Sequence, residues 1–367
     1  MSTRKKPVNR GKLRIGDNWN AITIIALSQS NPLKAIAEFV ENSIDARASN
    51  ITITRGRVRG EHYLKIVDDG EGIPKDSDGL PDFKYVATHI CDSIKRKMKK
   101  EGVSGIQGEF GIGLLSFWTV GEELRMVSSS TDGKTYEMIM KKGSPGYTIN
   151  RKRTLIPVDG TELTVIPLLP GVRSLNGEKI QRYLASELRD RIRKTGVTIK
   201  IVDRVARKQL IVEPREFNGR LLHQLPQPQT DLGEIYVELY LNETSAENRV
   251  GLYRKGTRVL QSVSELDRFA CEPWTSGYLE GIIDVPFLNL TPGTRSGIIQ
   301  DSSFESFSEA MKPLEERLIE IIQEQKRAEE ERASKKILKT VQKALREAIL
   351  SLPREEYDWF DIHTGSG

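Results

Sequence analysis

Between Gly70 and Gly113 the chain carries eight glycines and little hydrophobic periodicity, and this stretch constrains the fold more than any other. A structureless connection of that length is rare inside a compact domain, so it reads as a functional lid held by ordered elements on either side. What precedes it is strongly patterned. A helix is expected to open at Asn31-Pro32, where Asn suits the cap and Pro the first helical position, and to run to about Ala48. Two runs rich in β-branched residues, Ile51 to Thr54 and Tyr63 to Val67, are separated by a Gly-containing polar turn and read as a hairpin. Beyond the lid, strands are expected at Leu124 to Ser128, Tyr136 to Met140 and Thr161 to Ile166, then a helix from Glu178 to Lys194 and a strand from Val197 to Val202. The mixture predicts an α+β sandwich, a sheet covered by helices on one face.

At 367 residues the chain exceeds one hydrophobic core, which favours two domains. Residues 1–20 read as a basic, polar arm, 21–215 as the first domain and 216–231 as a linker, where Pro, Gln and Gly concentrate. A second α/β domain is expected over 232–305, with strands at Ile235 to Leu241, Arg249 to Tyr253 and Gly281 to Val285. A charged helical segment follows over 306–352, and 353–367 reads as a tail or linker. Its two apolar stripes, Leu314-Leu318-Ile321-Ile322 and Ile337-Leu338-Val341-Leu345-Ile349, are separated by the almost wholly charged QEQKRAEEERASKK.

Apolar residues are 37% and charged residues 29% of the chain, and no apolar run reaches the roughly 18 residues that span a bilayer. Neither a membrane segment nor a secretory signal is expected, which points to the cytoplasm. Cys91 and Cys271 stand far apart without a second ligand pair, against a zinc site or a disulfide framework. A net charge of +5 permits an anionic polymer as partner without requiring one.

The chemistry starts on the first helix, AIAEFVENSIDA. At 100° per residue Glu38, Asn42 and Asp45 fall within about 60° of one another, opposite Leu33, Ile36, Val40 and Ile44. A solvated surface helix has the same pattern, so other motifs must decide. Ile66 to Ile73 reads IVDDGEGI, placing Asp68 at a strand end before Gly70 and Gly72, which let the chain turn beside a ligand. Gly105 to Gly113 reads GIQGEFGIG, in which Gly108, Gly111 and Gly113 lead into LLSFWTV; glycine-rich backbone entering a helix offers unpaired N–H groups to phosphate. Gly160-Thr161 opens the strand GTELTVI.

In this order and at these separations, the four motifs resemble those of the Bergerat ATP-binding fold shared by GHKL proteins, the ATPases related to gyrase, the HSP90-type chaperone, histidine kinases and MutL. The likeness runs from about Asn31 to Ile166. Neither a Walker-A nor a Rossmann pattern is present. The resemblance implies ATP and Mg²⁺ as ligands: Asn42 on Mg²⁺, Glu38 as the base that accepts a proton from the attacking water, Asp68 accepting from the adenine amino group with Thr161 nearby, and Asp45 holding a water. It also implies that Gly70 and Gly72 give the base room and that backbone at Gly108, Gly111 and Gly113 wraps the phosphates. Glu41 is a rival to Glu38, but points about 100° away from Asn42. The second domain, through VGLYRKGTRVL and GYLEGIIDVPFLNLTPGTRSGIIQD, resembles the chaperone's middle domain, with a ribosomal-S5-like transducer fold. By position its γ-phosphate contact is Arg295, with Arg258 and Lys255 as rivals. None of His62, His89, His223 and His363 lies where a phosphoacceptor would. The resemblance thus implies an ATP-driven clamp closing as a homodimer, acting on nucleic acid or on protein.

Overall fold

The computed structural model describes residues 23, 31–83, 86, 113–153, 159–291 and 297–351. Helix α1 (Pro32–Asp45) opens as expected: the Asn31 side chain accepts from the Leu33 N–H at 3.0 Å, and Pro32 occupies the first turn. Its buried face, including Ala35, Ile36, Phe39, Val40 and Ile44, belongs to the first core. The helix stops three residues short of Ala48, because Arg47 enters the left-handed region at φ +61° and the Ala46 N–H closes back on Asn42.

The hairpin follows as strands β1 (Asn50–Val58) and β2 (Glu61–Asp68). Its two-residue turn, Arg59-Gly60, has positive φ at both positions, the geometry that matches strand twist. After a 3₁₀ helix (Gly113–Thr119) come β3 (Glu123–Ser129), β4 (Thr135–Lys141), β5 (Tyr147–Lys152) and β6 (Thr161–Val165). The stretch after the glycines is therefore a 3₁₀ helix at its start, with Leu115, Phe117 and Trp118 buried beneath it.

The helix expected from Glu178 to Lys194 is two, α2 (Gly177–Glu187) and α3 (Arg189–Thr195), broken at Leu188, whose ψ is 17°. Strands β7 (Thr198–Asp203) and β8 (Lys208–Ile211) complete an eight-stranded sheet in the order β5-β4-β3-β6-β2-β1-β7-β8. Pairing is antiparallel except between β1 and β7. The fold class is α+β, a sheet backed by helices.

The second core is separate from the first. Strand β9 (Arg220–Leu221) lies within the stretch read as a linker, as does the first strand of the small pair β10 (Gln229–Thr230) and β11 (Gly233–Glu234). With β12 (Tyr236–Leu241), β13 (Val250–Arg254), β14 (Thr257–Leu260) and β15 (Leu279–Asp284), β9 forms a sheet in the order β14-β13-β15-β12-β9. Helix α4 (Ser302–Leu350) lays Phe307, Met311, Leu314 and Leu318 on this core. Its distal half leaves Ile337, Leu338, Val341 and Leu345 more than half exposed. Among the described residues no helix is long and apolar enough to cross a membrane.

Candidate functional site

Strand β2 delivers Asp68 to the sheet end where β6 begins, and register places Asp68 opposite Thr161 and Thr161 opposite Ser128. Three donors hold the Asp68 carboxylate: Ser43 Oγ of α1 at 2.8 Å, the Gly70 N–H at 3.1 Å and the Thr161 N–H at 3.2 Å. Burial nevertheless pushes its carboxyl above the usual aspartate range, against those hydrogen bonds, and the like charge of Asp69 adds to the shift. A carboxylate so placed suits a ligand that brings its own donor.

Two glycines let backbone segments approach closely beside Asp68. A Cβ on Gly70 would sit 2.6 Å from the Ala46 carbonyl oxygen, and one on Gly160, at φ +122°, would sit 2.4 Å from that of Asp68. Gly72 lies in the turn that the Ile73 N–H fixes to Ser128 Oγ at 3.3 Å. Asp69 anchors the other side, accepting from the Ser49 and Asn50 N–H groups at 2.7 Å each. Around Asp68 the chain thus packs backbone against backbone, at the sheet end where α1, β2 and β6 meet.

The polar face of α1 has three different fates. Asn42 is exposed, whereas Glu38 is buried at 6% exposure. Asp45 is ion-paired with Arg191, its side chain 4% exposed, so its carboxylate is engaged by α3. Gly113 starts the 3₁₀ helix that packs on α1. Gly108, Gly111 and Arg295 lie outside the described residues, as does most of the stretch read as a lid. Of Arg295's rivals, Arg258 is ion-paired with Glu187 at 3.1 Å, and Lys255 stands in the β13–β14 turn.

The sequence reading missed Ser43, Ser128, Arg191 and Thr257. Ser43 stands in the motif beside Asn42 and faces Asp68, a placement that its helical spacing could have suggested. Ser128 is brought in by the sheet, Arg191 by α3 and Thr257 by the second domain. Among the described residues no three metal-ligating side chains gather. A Mg²⁺ ion accompanying a triphosphate takes most of its oxygens from phosphate and water, so the single exposed amide of Asn42 is an adequate protein ligand.

A separate cleft of about 850 Å³ opens between the domains, lined by Lys34, Tyr183, Glu187, Arg258 and Trp274 among others. Its buried ion pair is already satisfied, and it contains none of the glycine backbone that defines the Asp68 cradle.

An α+β domain with a helix-borne Glu-x-x-x-Asn and a half-buried strand-end aspartate set between glycine turns has the build of a nucleotide-binding domain. Residues 30–152 match the family described as "Histidine kinase-, DNA gyrase B-, and HSP90-like ATPase", which makes this stretch of GHKL type. Among curated proteins, the chain is 32% identical over 112 residues to the DNA mismatch repair protein MutL of Ehrlichia chaffeensis, covering 30% of this chain and 16% of that protein. It is 27% identical over 208 residues to the chaperone protein HtpG of Clostridium acetobutylicum, covering 56% and 29% respectively. The MutL of Clostridium botulinum is 43% identical over 79 residues, covering 21% and 11%. The matched part thus spans less than a third of each of these relatives.

Proposed function

We propose that the chain binds ATP with Mg²⁺ in the Asp68 cradle and hydrolyses it, driving a clamp that closes between two copies. The observation that carries this reading is Asp68, a half-buried acceptor with no ion-pair partner among the described residues, set between close-packed glycine turns and joined to α1 through Ser43. Adenine offers an amino donor to such a carboxylate, while guanine places a carbonyl oxygen at the corresponding position, so ATP is favoured over GTP. Asp45, in the ion pair with Arg191, takes the role of holding α1 to α3; a water on its second oxygen is compatible with that.

On this reading Asn42 holds Mg²⁺, which neutralises charge on the phosphates when bound. Glu38, one turn earlier and shielded from bulk solvent, orients water and takes its proton. Gly108, Gly111 and Gly113 supply N–H groups around the phosphates, and Arg295 comes from the second domain, a transducer of ribosomal-S5-like type, to stabilise developing charge. Glu38→Ala is expected to lower kcat by about 10²–10⁴-fold while ATP still binds, whereas Asn42→Ala loses the Mg²⁺-dependent part of binding. Turnover by a coupled phosphate assay and ATP titration check both; normal hydrolysis by Glu38→Ala would remove it as the base.

A second reading, a nucleotide-responsive DNA-binding module, is favoured by one feature. The exposed distal half of α4 carries Lys335, Lys336, Lys339, Lys343 and Arg346, and several similar proteins are mismatch-repair MutL proteins. DNA binding that weakens steeply with salt, together with ATP turnover stimulated by DNA, supports it. Indifference to DNA with retention of unfolded protein instead supports a chaperone-like clamp.

A further inference from the structure

Glu41 lies between Glu38 and Asn42 in sequence but faces the second domain. It is 4% exposed, and its Oε1 accepts a 2.8 Å hydrogen bond from Thr257 Oγ1. Thr257 is the first residue of β14, and the turn that presents it is held firmly. Lys255 and Gly256 both adopt positive φ, +53° and +83°, and both of their N–H groups donate to the buried Asp284 carboxylate at 2.6 Å. A Cβ on Gly256 would stand 3.4 Å from the Asp190 side chain, so the turn sits directly on α3.

The contacts around this hydrogen bond bind the same turn to the first domain on other sides. Arg258 Nε reaches Glu187 Oε2 at 3.1 Å, and Tyr253 OH donates to the Ser186 carbonyl at 2.8 Å. Burial pushes the Glu187 carboxyl up; Arg258 and Lys34 oppose that and the charge of Glu41 adds to it, which places Glu41 in one electrostatic cluster with the pair. The β13–β14 turn therefore touches α1, α2 and α3 at once, and its contact with α1 falls on the helical turn that bears Glu38 and Asn42.

We propose that Thr257 is a positioning residue for the ATPase described above: its hydrogen bond to Glu41 sets the rotation of α1, so that the placement of Glu38 and Asn42 depends on the seat of the second domain. The inference rests on the ATPase reading. Reacting groups must be held within about 0.5 Å and 10–20° to be productive, and a misplacement of about 1 Å costs about 10²-fold in rate. A single side-chain bond across the domain junction, one helical turn from the chemistry, acts within that tolerance. It gives the second domain an influence on hydrolysis separate from any residue it inserts at the γ-phosphate.

The test compares Thr257→Val, which keeps shape and removes the hydroxyl, with Thr257→Ser, which restores it. Expected is a fall in kcat for ATP of about 10–10²-fold in Thr257→Val, in keeping with a sub-ångström misplacement, with KM changed less than about twofold, and recovery of most of that loss in Thr257→Ser. Glu41→Ala is expected to show the same fall, and the double variant no further one, since the two residues act through one bond. Should Thr257→Val not fold, as judged by thermal melting, Glu41→Ala and Glu41→Gln carry the comparison, because Gln still accepts from Thr257 and keeps activity. Wild-type kcat in Thr257→Val or Glu41→Ala, or additive losses in the double variant, overturns the positioning role alone. A wild-type chain that binds but does not turn over ATP overturns the ATPase reading, and the positioning role with it.

Discussion

Two aspartates close opposite ends of the ladder around β1, and the sheet treats them in opposite ways. Asp203, at the end of β7, is paired in register with Arg55, and Asp68, at the end of β2, with Ile51. Asp203 accepts from the Gly177, Val205 and Ala206 N–H groups at 2.9, 3.0 and 2.9 Å and from Arg55 Nη1 at 3.1 Å. Burial disfavours its charge, but those donors and the guanidinium outweigh it and hold the carboxyl below the usual aspartate range. Asp68 has three neutral donors and a neighbouring anion, and there burial wins. One carboxylate is paired with a buried guanidinium; the other has only neutral donors among the described residues. Counting hydrogen bonds would not separate them, whereas the presence of a cation does.

The largest effect expected from this contrast is on folding. Asp203→Ala leaves Arg55 buried without its partner and frees three backbone donors, and is expected to lower stability by about 3–5 kcal/mol, read by urea unfolding. Because the folded-state pKa of Asp203 is depressed, its contribution is present above the ordinary aspartate range and is lost as pH falls through the depressed value. The difference between wild type and variant should shrink in acid. An Asp203→Ala protein as stable as wild type at neutral pH would break the comparison at its structural end.

Asp68 is expected to behave with the opposite sign. Its folded-state pKa is raised, so whatever stability it contributes is complete below the ordinary range and lost as pH rises through the raised value; removing its charge at neutral pH should cost the fold little. In Asp68→Asn the amide oxygen can still accept from Gly70 and Thr161, and Ser43 can accept from the amide N–H. That same amide N–H₂ then faces the adenine donor of the proposed complex. The mismatch, about 1–3 kcal/mol, predicts ATP affinity weakened by about 10–10²-fold with the melting temperature nearly unchanged. In the wild type, affinity should fall with pH as Asp68 protonates, and calorimetric titration at several pH values checks both outcomes. Collapse of folding in Asp68→Asn with affinity preserved would reverse the two roles.

How far these features were legible in the sequence follows from the range of the interactions that make them. Helix α1, its Asn31 cap, the hairpin and the Asp68 turn are built from local periodicity and turn chemistry, and were readable residue by residue. Strands β5 and β8 were not read, because they are the outer strands of the sheet, paired on one side and mostly exposed, without the apolar alternation that marks a buried strand. The break at Leu188 escaped because the helical pattern runs through it, while Glu187 and Arg189 on either side turn to Arg258 and Glu238 of the second domain. The fate of the α1 acids lay further still from view. Asp45 finds Arg191 146 positions away and Glu41 finds Thr257 216 positions away; no spacing rule on one helix reports such partners.

The smallest expected effect isolates the link between α1 and the cradle. Ser43 is buried, and its hydroxyl donates to Asp68 at 2.8 Å, so Ser43→Ala removes one of three donors without altering the glycine turns. Loss of a donor that lowers the pKa of Asp68 should raise that pKa further, and the acid limb of ATP affinity should move to higher pH. With a hydrogen bond worth about 1 kcal/mol, affinity at neutral pH should weaken only about fivefold, less than in Asp68→Asn, because the acceptor itself remains. The double variant should be no weaker than Asp68→Asn, since Ser43 acts on nucleotide through that carboxylate. Independent, additive losses would mean that Ser43 meets the ligand directly, and that Asp68 depends on its two backbone donors alone.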